Sequence, residues 1–404
     1  MLSFDVLKRA VATIAVLAMF GTISISARAA DQTYKIGIDL PTSGADASDG
    51  IPTKNGALLA IDDANAKGMP GGVKLQGEPL DDAVQGVHDP AQGAQNLKTF
   101  VADSAVVGVV GPFNSNVARA EIPITNDAGL AQVSPSNTND GLTIGESAKQ
   151  LRTSHPDQIA YFRVCTRDAN QGAAGAALAK SLGFKKVYIV DDNETYGKGL
   201  ADVFDKEFRA GGGTVLGHDH LTKNQQDFKA LLTKVKSTKP DVVYFGGVTA
   251  TGGGLLRRQM GDAGMSTVPY IGGDGISDTE FLKDAGNLAN NSYYTIAAPD
   301  ASKLPSAQAF NKAYKAKYGQ DPGAYSASAY AAAWVIINAI KQAQGNGGVT
   351  RASVLKYIAA TKNLATPIGP VGFDKNGDTT SPVISEYKIV NGKGQFLKQI
   401  TIKS

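Results

Sequence analysis

The chain has 404 residues, 42% hydrophobic and 19% charged, with 40 Lys and Arg against 37 Asp and Glu, a formal net charge of +3. That length exceeds one ordinary hydrophobic core, so two domains are expected. No basic stripe with interleaved aromatics runs through it, which excludes a nucleic-acid partner, and the single cysteine, Cys165, excludes an intrachain disulfide.

Taken in chain order, residues 1–30 read as a secretory signal. Lys8 and Arg9 precede the apolar run "AVATIAVLAMFGTISIS", and "ARAA" at 27–30 is a small-residue cleavage site. The run is short for a membrane span. Without this segment the balance is 37 basic to 36 acidic groups, a net charge of +1. No cysteine lies near the cut, so lipid attachment is not expected, and the periplasm is the expected location.

Strand patterns follow in "YKIGIDL", "VKLQGEPLDD", "AVVGVVG", "LAQVSPS", "IAYFRV", "KVYIVDD", "TVLGHDHL", "DVVYFGG", "VPYIGGDG" and "YYTIAAP". Helical patterns separate them. In "QDFKALLTKVKS", Phe228, Leu231, Leu232 and Val235 keep the i, i+3, i+4, i+7 spacing of one buried face. "ASAYAAAWVIINAI" is nearly all apolar but too short for a bilayer, so it predicts a core helix. This alternation predicts an α/β protein with parallel sheets covered on both faces. It runs twice, from Tyr34 and again from near Tyr161, and two doubly wound units leave a cleft between them. Ligands of such sheets bind beyond the carboxyl ends of the strands.

The motifs of catalysis and cofactor binding are missing. The first strand leads into "DLPTSGADAS" rather than G-x-G-x-x-G, and neither a P-loop, a G-x-S-x-G elbow nor H-E-x-x-H occurs. No cofactor, metal or catalytic residue is expected. His218 and His220 face the same way on a strand and could chelate an ion, but no further His or Cys lies near them in sequence, and a solvated strand face is the simpler reading. "DKNGD" at 374–378 begins like a calcium loop, then has Thr379 where glycine is needed, so a turn is expected. Cys165, in a strand-like run, is expected to be a buried small hydrophobe.

Four strand-end loops remain: "GPFNSN", with Phe113, Asn114 and Ser115; "SPSNTN", with Ser136, Asn137 and Thr138; "DDNETYGKG", with Tyr196; and "GGDGISD", with Asp274. Singly, each resembles a helix cap. Together they offer hydroxyls and backbone N–H groups for a ligand carboxylate, one acid for an ammonium, and two aromatic walls. Uncharged donors of this kind suit binding and release better than acid–base turnover.

These loops sit among "KIGIDLPTSG", "GALLAIDDANAKGM", "VVGVVGPFNSN", "QVSPSNTN", "FRVCTRDANQG", "DDNETYGKGLA", "DFKALLTKVKSTKPDVVYFGG" and "VGFDKNGD". In that order and spacing the chain resembles the periplasmic leucine/isoleucine/valine-type amino-acid-binding proteins, solute receptors of ABC importers, over nearly all of its length. The resemblance implies the type I fold of two Rossmann-like lobes joined by three crossing hinge segments. Lobe one would hold about 31–158 and 299–366, and lobe two 159–298 and 367–404. It implies that Ser115, Ser136 and Thr138 take the ligand carboxylate, that Asp274 takes the ammonium, and that Tyr196 closes from lobe two. It also implies an inner-membrane permease as partner and a monomeric receptor. Three positions depart from the family pattern: Val248 follows "YFGG" where an aromatic is common, the loop near Asp49 lacks a second aromatic, and Asp274 stands where some members carry Glu. Relatives with altered pockets take amides, urea or aromatic acids, and a sensor partner or an enzyme are the remoter alternatives.

Overall fold

The computed structural model describes residues 32–401; the expected signal segment lies outside them. The first sheet has five parallel strands in the order Lys74–Asp81, Thr33–Leu40, Val106–Val110, Ala131–Ser134, Tyr161–Arg163. Every residue of Val106–Val110 is buried because helices cover both faces of this central strand. On one face Ile36, Ile38, Val107 and Val110 pack with the helices Ala47–Lys67 and Ser326–Gly345. On the other, Val106 and Val109 meet Leu97 and Phe100. The helix Ser326–Gly345 contains the apolar run read as a core helix, and no helix among the described residues is long and apolar enough to cross a membrane.

The second sheet has seven strands in the order Lys393–Thr401, Val383–Val390, Ser292–Ile296, Tyr270–Gly272, Val242–Gly246, Lys186–Asp191, Thr214–His220. Its last five are mutually parallel, and the C-terminal pair Val383–Val390 and Lys393–Thr401 runs antiparallel. The helices Asp168–Ser181 and Thr195–Ala210 lie on one face and Lys229–Ser237 and Gly253–Asp262 on the other, each apolar set filling its own core.

Two boundaries differ from expectation. Tyr161–Arg163, placed by the sequence at the start of the second unit, is the last strand of the first sheet, in register with Gln132, Val133 and Ser134. At the far end, Val371 and Phe373 belong to the first core, with the Phe373 ring 5.0 Å from that of Phe162. The apolar side chains extend the first lobe by a few residues past both boundaries. Three adjacent segments then cross between lobes. The Thr166 N–H donates to the Ala297 carbonyl at 3.0 Å, the Arg163 N–H to that of Gly377 at 3.0 Å, and the Ser385 hydroxyl to that of Ala298 at 2.8 Å. The "DKNGD" stretch is a turn closed by Asp374 and Asp378, and the Asp378 carboxylate takes Arg163 at 2.6 Å.

Candidate functional site

The strand Val106–Val110 ends at Gly111, and the helix Ser115–Ala128 begins four residues later. Asn114 is its N-cap by position, yet its side chain makes no capping bond, and its Oδ1 is buried without a partner. Capping therefore does not account for this polar cluster. From the neighbouring strand end, the Ser136 hydroxyl donates to the Phe113 carbonyl at 3.0 Å and the Asn137 amide donates to the same oxygen at 2.6 Å. Asn137 also accepts from the Tyr161 hydroxyl at 2.9 Å. Ser136 and Asn137 thus hold the two loops together. The Thr138 hydroxyl, by contrast, is buried without a partner, and Ser115 is reached only by the distant Asn139 N–H at 3.5 Å.

In the second lobe, Asp274 follows the strand Tyr270–Gly272 and is 6% exposed. It accepts from the Tyr196 hydroxyl at 3.0 Å and from the Gln171 amide. Burial pushes its pKa up, and hydrogen bonds led by that of Gln171 partly offset the shift. Gly273 is required here: a Cβ would collide with the Tyr196 hydroxyl. Val248 is buried against Gly275, and Phe113 packs against the apolar cores of both lobes, edge-on to Tyr325 at 5.6 Å.

Six of the nine expected residues lie on two adjoining first-lobe loops, and Tyr196, Val248 and Asp274 cluster in the second lobe. The link between the lobes is direct. The Asp168 N–H donates to the Thr138 carbonyl at 2.8 Å, and the Asn139 amide donates to the Thr195 carbonyl at 2.7 Å. A second bridge spans the lobes at the rim: His88, bonded to Asp46 at 2.8 Å, reaches Glu194 at 2.7 Å, and Asn116 donates to Glu194 at 3.0 Å. Burial alone would lower the His88 pKa, but Asp46 and Glu194 hold it well above its ordinary value. These bonds join the facing surfaces of the two lobes.

Sequence reasoning missed Gln171, Asp168, Tyr325 and Asp49. Gln171 and Asp168 lie in "FRVCTRDANQG", at the start of the helix Asp168–Ser181, so a signal existed. Tyr325 precedes the helix Ser326–Gly345 with nothing local to mark it. Asp49, on the helix Ala47–Lys67, has its carboxyl pushed well above the usual range by burial and by Asp278, Asp46 and Asp274. Cys165 is buried, as expected, and burial pushes its thiol up.

Two α/β lobes joined by three crossing segments, with polar loops at their strand ends, are the architecture of a solute receptor. The family model described as periplasmic binding protein matches residues 33–394, and the chain belongs to that family. It is 37% identical to a Leu/Ile/Val-binding protein of Rhizobium johnstonii over 89% of this chain and 92% of that one. Its fold matches a leucine-binding protein of Thermotoga maritima with a TM-score of 0.79 at 27% identity, covering 91% of this chain and 98% of that chain. It also matches a branched-chain amino-acid transporter substrate-binding protein of Streptococcus pneumoniae in complex with isoleucine (TM-score 0.78, 27% identity, 92% and 100% covered).

Proposed function

We propose that this protein captures a branched-chain-type α-amino acid between its lobes and hands it, unaltered, to an inner-membrane ABC permease. The observation that carries the reading is the trio Tyr196–Asp274–Gln171, a buried carboxylate held only by neutral donors. Such a group is left to attract a ligand ammonium, a charge-assisted bond contributing about 1.5–3 kcal/mol. At the other end, the Ser115 and Thr138 hydroxyls and the opening N–H groups of the helix Ser115–Ala128 suit the ligand carboxylate. Phe113, Val248 and Tyr325 supply apolar walls. Ser136 and Asn137 hold the first-lobe loops in place. The ligand favours closure because it touches both lobes only when they are shut. Among the described residues no nucleophile–base pair accompanies these groups, which supports a carrier over an enzyme, and the description of the matching family supports a periplasmic receptor.

Calorimetric titration with leucine, isoleucine and valine is expected to give one site of about micromolar affinity. Asp274→Asn is expected to weaken it about 10- to 100-fold. No heat from any α-amino acid, or an unchanged affinity in the variant, rejects the reading. One observation favours a second ligand class. Asp49 lines a cavity with Asp278, and burial and the neighbouring acids push its carboxyl up, which favours a neutral donor that could meet an amide. Short amides belong in the same titration, and binding of an amide but no amino acid would select that class.

A further inference from the structure

The edge of the second sheet carries a constellation that the ligand site does not use. In the parallel ladder between Lys186–Asp191 and Thr214–His220, Asp191 pairs with His220 and Ile189 with His218. His218 and His220, two apart, face the same way, and the register brings Asp191 to that face. His218 Nε2 lies 2.7 Å from Asp191 Oδ2, and His220 Nδ1 lies 2.8 Å from the same oxygen. One ligand atom from each of the three residues falls within 4.8 Å of the other two. Asp191 is fully buried, whereas the His220 side chain is 43% exposed.

We propose that Asp191, His218 and His220 form a binding site for a divalent transition ion of the zinc class. Two imidazole nitrogens and one carboxylate oxygen are a zinc donor set, and three protein ligands leave a fourth position open. The surroundings match what such a site requires. A metal-bound imidazole usually gives its other N–H to a carboxylate, which fixes ring and tautomer. Here His218 Nδ1 faces Asp205 Oδ2 at 3.4 Å, from the overlying helix Thr195–Ala210, and Asp205 is itself held by Arg209. The second Asp191 oxygen accepts the Asn193 N–H at 2.8 Å, which orients that carboxylate. His220 also lines a cavity of about 610 Å³ with Asn193, Thr222 and Thr249, room for water as the fourth ligand. Bonds of about 2.0–2.1 Å to a tetrahedral ion space its ligands about 3.3 Å apart. Admitting the ion therefore needs an opening of about 0.5 Å, which the exposed His220 ring can supply. Asp191 is the last residue of its strand, before the short connection through Glu194 to the helix Thr195–Ala210 that carries Tyr196, so an ion here would anchor the root of that connection.

The alternative is that the two imidazoles only satisfy a buried carboxylate through their N–H groups. Calorimetry of the tag-free, EDTA-treated full chain with zinc chloride separates the two. The expected result is one zinc per chain with a dissociation constant of about 1 µM or lower. His220→Ala is expected to weaken it at least 100-fold, and Asp205→Asn, acting only through His218, about 10- to 100-fold. Melting temperatures in EDTA establish that both variants are folded. X-ray absorption on the zinc-loaded protein should report two nitrogen neighbours and oxygen at about 2.0–2.1 Å. Absence of saturable binding below 100 µM zinc (on the order of a hundredfold above the expected constant), or wild-type affinity in His220→Ala, overturns the proposal. The amino-acid titration is a separate measurement, so either conclusion can fail without the other.

Discussion

Beneath the first lobe's strand ends lies a buried acidic trio, Asp39, Asp82 and Glu121. Burial pushes Asp39 up to about 6, and burial with the nearby Asp39 charge pushes Glu121 well above the usual range. Glu121 therefore holds its proton to a higher pH in the folded protein than in the unfolded chain. Above the unfolded value the native state binds more protons than the unfolded one, so stability falls as pH rises toward the folded value. Glu121→Gln keeps a neutral donor there and removes this dependence. Its melting temperature is expected to match the wild type near pH 4.5 and exceed it at pH 8. A thermal scan at the two pH values checks this, and equal differences at both reject it. At this scale the site was legible in part. Asp274 and Tyr196 follow strands that end in glycine or acid, and that pattern is local. Gln171 reaches Asp274 across 103 positions of sequence, a distance no periodicity spans.

The elements depend on close backbone approach. The helix Thr195–Ala210 crosses the strand Val242–Gly246 so closely that a Cβ on Gly197 would overlap the Gly246 carbonyl and Asp192. Gly197→Val is expected to destabilise the protein by about 1–3 kcal/mol through overpacking, seen as a lower urea midpoint with an unchanged m-value. A wild-type midpoint would mean that the helix can move away freely. Strands and helices were largely readable because buried parallel strands are short, continuous apolar runs bounded by glycine and polar turns. The exception is the hairpin Val383–Val390 and Lys393–Thr401, where the edge strand is mostly exposed and no such run exists. Its turn did leave a mark: Asn391 and Gly392 both have positive φ, which Asn-Gly adopts at low cost in a two-residue hairpin.

For the whole molecule, the two lobes are fastened at the rim by His88, Asn116 and Glu194 as well as in the cleft. Glu194→Ala removes the second lobe's half of that latch without touching the proposed ligand. Its amino-acid affinity is expected to fall several-fold, since part of the closure energy is lost. Small-angle scattering should show the wild type contracting when ligand is added, and the variant needing more ligand for the same contraction. An unchanged radius of gyration in the wild type would reject closure as the binding event.

By itself the sequence determined the alternation of strands and helices, the doubling of the α/β unit, and the four uncharged loops, because each is written in residues close together along the chain. Only the tertiary structure decided which lobe Tyr161–Arg163 joins, since a strand's partner is chosen by the apolar face it can cover rather than by its own composition. Tertiary structure alone also set Asp191 beside two histidines 27 and 29 positions away and brought Thr138 to face Asp168. Those contacts come from sheet register and the meeting of the lobes, which are properties of the folded packing and leave no local pattern to read.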